Sequence, residues 1–451
     1  MNNLVIPSIV ARARAEGAAW AATPVQARLA VVRRARRAMA ADAERLAATV
    51  ARPVADTLVS EVLPLLDAAR FLERRAARLL APHRLRGGRP LWLLGVRATV
   101  ERDPLGAVLI LAPGNYPLFL PGAQALQALA AGNAVVWKPA PGGTEAARAV
   151  LAILEKAGLP PGVLTVLDEA DGPAAVAAGF DHIILTGSAE TGAAVLAVCA
   201  PLLTPCTMEL SGSDAVFVLP GASLDLVARS LAYGMRLNGG ATCIAPRRVF
   251  LARELAAGLE RRLLPLLAAI PDASVPGPVA AALQELVAEA VQDGAAVHCP
   301  GPGRPTLVTG ARAEMTLLQR DVFAPWLALV PVADMTEAIR LDRLCPFALG
   351  ASVFGPAAAA RDFAARLRAG SVCVNDLIVP TADPRLPFGG SGRSGFGRTR
   401  GAEGLLAMTT ARTVSERRFP FRPHLAPPGP KDRARFLGMI RTLHGRWLTR
   451  R

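Results

Sequence analysis

PLGAVLILAPGNYPLFLPGAQALQALAAGNAVVW, residues 104 to 137, contains no charged side chain. Its length invites a membrane-spanning reading. Pro104, Gly106, Pro113, Gly114, Asn115, Pro117, Pro121, Gly122, Gly132 and Asn133 interrupt it, and an unbroken spanning helix does not tolerate that much punctuation without neighbours. Strand, turn, helix, strand fits better. Leu109-Ile110-Leu111 ends in the sharp turn Pro113-Gly114-Asn115, and Val135-Val136-Trp137-Lys138 forms the second strand before Pro139. A βαβ unit this apolar belongs in a parallel sheet covered on both faces.

The same alternation extends from Leu105 to Leu210, with helix-length segments such as Gly143 to Ala157 between strands. It predicts an open parallel sheet with crossover helices, the usual scaffold for a dinucleotide. Ile183 to Gly192 reads as a strand, a Gly187-Ser188 turn and a helix start, which offers free N–H groups and a positive dipole end to a phosphate. Many such turns bind nothing. After Ser211 a second alternating series runs to about Arg398, with strands at Phe250-Leu251 and 327–330 and helices over 254–270 and 357–367. Gln26 to Leu80 reads as amphipathic helices interrupted near Pro53. Leu91 to Arg102 alternates as a hairpin arm, and Thr410 to Arg417 reads as a strand.

Pro420 to Pro430 reads as a linker. Beyond it, Lys431 to Arg451 is a basic helix candidate, with seven Lys and Arg against Asp432, a net +6. Phe436, Ile440, Leu443 and Trp447 form one apolar stripe. The stripe either packs on the protein body or a neighbouring subunit, or lies on an anionic membrane surface with Trp447 and Phe436 inserted.

With 451 residues the chain exceeds one compact core. Hydrophobic residues make up 52% and charged residues 19%, a globular balance. The 51 Lys and Arg outnumber 36 Asp and Glu, for a formal charge of +15. The arginines are spread from end to end, lysine occurs only at 138, 156 and 431, and no nucleic-acid-binding motif appears, so no nucleic-acid partner is expected. Six cysteines without a CxxC suit a reducing cytosol. Scattered histidines and the absence of HExxH argue against a metal. Met1 to Ala11 does not read as a signal peptide. A cytoplasmic protein is expected, membrane-peripheral if the tail meets lipid.

Chemistry enters at Cys243, in Asn238-Gly239-Gly240-Ala241-Thr242-Cys243-Ile244-Ala245-Pro246-Arg247-Arg248, and at Glu209, in Met208-Glu209-Leu210-Ser211-Gly212. A thiolate can add to a carbonyl, and a carboxylate can activate water to release the product. Taken singly, Cys243 reads as a small core hydrophobe, Glu209 as a strand-end surface charge and Asn115 as a turn cap. The glycine-rich approach to Cys243 lets backbone N–H groups turn toward a reacting centre.

In their order and spacing, these segments resemble the aldehyde dehydrogenase superfamily. Pro387-Phe388-Gly389-Gly390-Ser391-Gly392-Arg393-Ser394-Gly395-Phe396-Gly397-Arg398 and Gly370-Ser371-Val372-Cys373-Val374-Asn375 extend the resemblance, which covers about Val25 to Val414. It implies an α/β fold with a Rossmann-type cofactor domain (1–90 and 106–210) and an α/β catalytic domain (211–400). A small β oligomerisation arm (91–105 and 401–418) and a linker and tail (419–451) complete it. It also implies a homo-oligomer, a dimer first.

The implied reaction is NAD- or NADP-dependent oxidation of an aldehyde to a carboxylic acid through a cysteine thioester. Cys243 is then the nucleophile, Glu209 the base, and the Asn115 amide a donor to the oxyanion. Lys138 corresponds to the cofactor-ribose ligand, Gly187 and Ser188 to the phosphate turn, Asp321 to the nicotinamide-ribose ligand and Phe323 to the aromatic beside the ring. Departures are Asp321 for a glutamate, Ala324 for a glycine, Ala241 for a glutamine and Ser211 for a glycine. Pro141 replaces a glutamate of NAD-preferring members, which leaves NADP open. Alternatives are an acylating, coenzyme A-linked enzyme, which Glu209 opposes, and a degenerate structural subunit.

Overall fold

The structure is a computed structural model that describes residues 5–445 except Pro302 and Phe421. The described residues form two units. One runs up to Ala81 and from Arg102 to Thr410; the other comprises Pro82 to Glu101 and everything from Ala411 onward.

The uncharged stretch folds as a βαβ unit. Strand Ala107–Leu111 is followed by helix Phe119–Ala131 and strand Ala134–Lys138, the two strands pairing in parallel from Ala107 opposite Ala134 to Leu111 opposite Lys138. All thirteen residues of the helix are buried. Strand side chains alternate between two cores. Val108, Ile110, Val135 and Trp137 face one, while Ala107, Leu109, Ala134 and Val136 face the other. Both faces are covered, so the run needs no polar residue. The helix ends at Gly132, whose φ of +104° a side chain would strain.

Five parallel strands make up most of a six-stranded sheet. In space their order is Cys206–Leu210, His182–Gly187, Ala107–Leu111, Ala134–Lys138, Leu164–Val166. The chain thus starts in the middle, winds outward one way, then returns and winds the other. The strand order reverses between Ala107–Leu111 and His182–Gly187, and in doubly wound sheets ligands bind outside the carboxyl ends of the strands at such a reversal. A second, seven-stranded sheet runs Ala296–His298, Thr306–Thr309, Trp326–Val332, Pro246–Ala252, Asp214–Val218, Gly350–Phe354, Ser371–Val374, parallel except for its first pair. Its two faces also carry separate cores, Phe217, Phe250 and Val330 on one and Val216, Val249 and Leu329 on the other.

Several boundaries differ from those expected. The hairpin arm is a three-stranded sheet in which His83–Arg84 pairs with Val96–Pro104, so residues from Pro82 belong with the arm rather than with 1–81. Leu91–Leu93 is a single 3₁₀ turn. Residues 401–408 do not join the arm: Gly401–Ala407 is a helix whose Leu405 is wholly buried, as is the adjoining Met408, in the same core as Val108 and Trp137. Nor does the chain from 387 to 400 stay with the second sheet. Gly395–Phe396 adds an antiparallel sixth strand to the first one, with Gly395 opposite Glu209. An N-terminal helix, Val5–Ala22, was not anticipated, because its apolar residues lack a clean period; Ile6, Val10 and Ala13 pack beneath Ala107 and Leu109.

The tail helix spans Asp432–His444. Along it Phe436, Leu437, Met439 and Ile440 are exposed and Leu443 is half-buried. Phe436 is 45% exposed and Ile440 52%. Trp447 lies outside the described residues. No described helix is long and apolar enough to cross a membrane.

Candidate active site

The approach to Cys243 is built from left-handed backbone. Asn238, Gly239 and Gly240 have φ of +50°, +57° and +73° in succession. Gly240 has a second reason to be glycine: a Cβ there would sit 2.6 Å from the Ala324 carbonyl oxygen. Arg247 pins the turn from below, its guanidinium donating to the carbonyls of Ala324 (2.7 Å), Trp326 (3.0 Å) and Gly240 (2.5 Å). Burial lowers its pKa to about 10, which leaves it a cation at neutral pH.

Asn115 is brought to this turn. Its Nδ2 donates to Ala241 O at 3.0 Å, and its own carbonyl accepts from Asn238 Nδ2 at 2.9 Å and Arg52 Nη2 at 2.7 Å. One amide hydrogen is thereby spent on fixing the side chain beside Cys243, and the second is left to donate. The neighbouring pair Tyr116 and Thr242 share a buried hydroxyl contact at 2.8 Å. Arg52 also stacks over the Tyr116 ring and pairs with Glu61, a fully buried carboxylate that accepts from the N–H groups of Leu118 and Phe119 at 2.8 and 3.0 Å. Glu61 lies on a single π-helical turn, Leu58–Val62.

Glu209 is no surface charge: it sits 4% exposed in the Cys206–Leu210 strand, between His182–Gly187 and the added Gly395–Phe396 strand. Its Oε2 accepts from Thr399 Oγ1 at 3.1 Å and Gln124 Nε2 at 3.3 Å, while its Oε1 is buried with no partner. Burial raises its pKa, opposed chiefly by Arg400 and then by the hydrogen bonds. Cys243 is half-buried. Burial raises its thiol pKa strongly; Glu209, Asp214 and Asp321 add to the rise, and Arg400 opposes it. The thiol and the three carboxylates therefore share one electrostatic neighbourhood.

Of the remaining candidates, Lys138, Gly187 and Ser188 stand at the carboxyl ends of strands in the six-stranded sheet. Lys138 ends its strand, with its amine pKa lowered by burial and drawn back by Glu169 and Asp171. Glu169 in turn holds the following turn through Gly142 N (3.0 Å) and Thr144 Oγ1 (2.7 Å). Gly187 closes the His182–Gly187 strand, two places over in the sheet, and Ser188 caps helix Ala189–Cys199 by accepting from Thr191 N at 3.1 Å. Asp321 and Phe323 precede strand Trp326–Val332. Phe323 is half-buried. Asp321 has its pKa pushed up to about 6 by burial, and its Oδ1 is buried without a partner. An acceptor in that state suits a donor from outside the chain, such as a ribose hydroxyl. Among the described residues, no cluster of His, Cys, Asp or Glu could hold a metal ion.

Sequence reasoning missed Thr399, Arg400, Gln124, Gln127, Arg52 and Glu61. Gln124 and Gln127 had a readable signal, as the polar pair one helical turn apart in an otherwise apolar buried run. Arg400 had none, since it is one arginine among many.

A doubly wound sheet, a cysteine on a glycine turn, a fixed amide and a buried carboxylate are the parts that carbonyl chemistry at a thiol would need. The chain belongs to the aldehyde dehydrogenase family, whose profile matches residues 4–414, and it is an oxidoreductase acting on aldehydes. It is 31% identical to a Mycobacterium ulcerans protein provisionally named succinate-semialdehyde dehydrogenase (NADP+) 2, over 97% of this chain and 89% of that one. It is 28% identical to the 4,4'-diapolycopene aldehyde oxidase of a Methylomonas species, over 86% of this chain and 77% of that one. Among solved structures, an aldehyde dehydrogenase of Mycobacterium tuberculosis complexed with NAD+ matches with a TM-score of 0.83 and 25% identity, covering 91% and 90% of the two chains. The NADP-dependent glyceraldehyde-3-phosphate dehydrogenase of Bacillus halodurans, complexed with NADP, matches with a TM-score of 0.85 and 27% identity, covering 92% of each.

Proposed function

We propose that this protein oxidises an aldehyde to a carboxylic acid with NAD or NADP, through a thioester on Cys243. The observation that carries the proposal is the pairing of a half-buried Cys243 with a buried Glu209 whose Oε1 has no partner. The Cys243 sulfur adds to the aldehyde carbon, and the free Asn115 amide hydrogen with the Cys243 backbone N–H holds the oxygen as charge develops. Such a donor contributes about 10²–10³ in rate. Lys138, Gly187, Ser188, Asp321 and Phe323 are the residues proposed to hold the dinucleotide, which when bound supplies the hydride acceptor. Glu209 then takes a proton from the water that attacks the acyl carbon, and Cys243 is released as leaving group.

Glu209 also favours hydrolysis over transfer of the acyl group to coenzyme A. We assign the six-stranded region to the cofactor and the seven-stranded region to catalysis, in a cytoplasmic homo-oligomer. Pro141 supplies no carboxylate against a 2′-phosphate, so either cofactor is admitted. For the tail, the exposed apolar residues of helix Asp432–His444 together with a net +6 over 431–451 favour contact with an anionic membrane surface.

The test is NADH and NADPH production over short semialdehydes, aromatic aldehydes and long-chain apolar aldehydes, the first and last prompted by the names of the relatives. Activity on at least one class is expected, with Cys243→Ser losing at least about a thousandfold. Retained oxidation in Cys243→Ser would remove the thiol from the reaction.

A further inference from the structure

Arg400 is the feature the catalytic outline leaves unexplained. It follows Thr399 directly and is only 6% exposed. Its side chain lies between two aromatic faces, with Cζ 4.4 Å from the Phe388 ring centre and 5.6 Å from that of Phe119. One nitrogen, Nη1, donates to Thr381 O at 2.7 Å; Nε is buried and has no acceptor. Among the described residues, no carboxylate lies within ion-pairing distance of it. A buried cation with so few partners is costly unless an anion nearby compensates it.

The backbone shows that the position is imposed. Arg400 adopts a φ of +59°, a region that side chains rarely enter. Its N–H donates to Gln127 Oε1 at 3.2 Å, and its carbonyl accepts from Gly404 N at 2.8 Å. Local strain of this kind persists where the surroundings over-determine it. What that backbone places is the site itself, because Thr399 Oγ1 is bonded to Glu209 Oε2. Glu209 and Cys243, whenever ionised, are near enough to favour the charged form of Arg400.

We propose that the Arg400 guanidinium is the fixed countercharge of this site, holding the negative charge of Glu209 and of the Cys243 thiolate where water is largely excluded. The proposal rests on the reading of Cys243 as nucleophile and Glu209 as base. Arg400 is a positioning residue and touches no reacting atom. The groups that face Cys243 are Glu209, Asp214 and Asp321, all of which oppose a thiolate, the un-ionised Tyr116 phenol, and Arg400, which favours one. Three negative groups around one thiol would hold it protonated, so a cation in the same enclosure decides how much thiolate forms. Guanidinium suits the task because it stays charged when buried and stacks on aromatic faces.

The experiment measures iodoacetamide alkylation of Cys243 against pH, read by peptide mass spectrometry on the full-length protein. This readout needs no turnover. A wild type that alkylates at Cys243 but oxidises no aldehyde would therefore count against the proposed function and not against this inference. Arg400→Met is expected to move the midpoint up by about one pH unit, which is roughly tenfold slower labelling at a pH below both midpoints. Arg400→Lys, which keeps the charge, should stay within about threefold of wild type. If Arg400→Met does not fold, Arg400→Gln makes the same comparison with Arg400→Lys. A neutral variant that labels at the wild-type rate throughout would overturn the proposal. So would a lysine variant as slow as the neutral one, because that would assign Arg400 to packing alone.

Discussion

Glu209 and Cys243 are negatively charged only against resistance, and that governs how the reaction responds to pH and to substitution. Burial raises both groups, so each becomes more competent as pH rises. In the proposed reaction the two carry separate steps. Glu209→Gln keeps the shape of the side chain and its contact with Thr399 but cannot accept a proton. Acylation of Cys243 should continue, and release should stop. A rapid-mixing trace is expected to show one burst of NADH or NADPH per active site, followed by steady turnover reduced at least about a hundredfold. Steady turnover near the wild-type rate would leave water activation to another group. Of this site, Cys243, Glu209 and Asn115 were named from the order and spacing of their motifs, since each taken singly reads as structural. Arg400 and Thr399 were not, since their relation to Glu209 depends on a strand added across the sheet from nearly two hundred residues downstream.

Among the elements, the central βαβ unit and the strands at 183–187, 250–251 and 327–330 were legible because both faces are covered and their composition leaves one solution. The arm boundaries and the Gly401–Ala407 helix were not: a short buried helix and a short strand present the same apolar run, and packing alone separates them. A related effect of packing appears at Asp214, the first residue of strand Asp214–Val218. Gly350 N donates to its Oδ1 at 3.0 Å, and burial pushes its pKa up to about 7 from 3.8. The folded state therefore holds a proton that the unfolded chain gives up more readily. Stability from this group falls as pH rises from 3.8 toward about 7 and then levels off. Asn cannot ionise and can still accept from Gly350. Asp214→Asn is expected to gain a few degrees in melting temperature relative to wild type on going from pH 5 to pH 8. A melting difference that does not change with pH would show that Asp214 is not the titrating group.

The chain as a whole couples a family-wide catalytic body to a tail outside the matched region, which ends at 414. In helix Asp432–His444, Phe436, Leu437, Met439 and Ile440 are all exposed, and the basic residues around them bring the segment from 431 to 451 to a net +6. Apolar side chains in that setting gain by leaving water, and the surrounding charge favours an anionic surface over a second copy of the same basic helix. The proposed membrane contact would be electrostatic in reach and hydrophobic in hold, each basic residue contributing about 1 kcal/mol near an anionic bilayer and screened by salt. Full-length protein should sediment with vesicles containing phosphatidylserine at low salt and detach as salt is raised. A truncation ending at Arg418 should stay in solution under both conditions and keep its oligomeric size in gel filtration. Full-length protein that remains in solution with those vesicles at low salt would exclude lipid as the tail's partner. A truncation that alone changes oligomeric size would assign the exposed stripe to a neighbouring subunit instead.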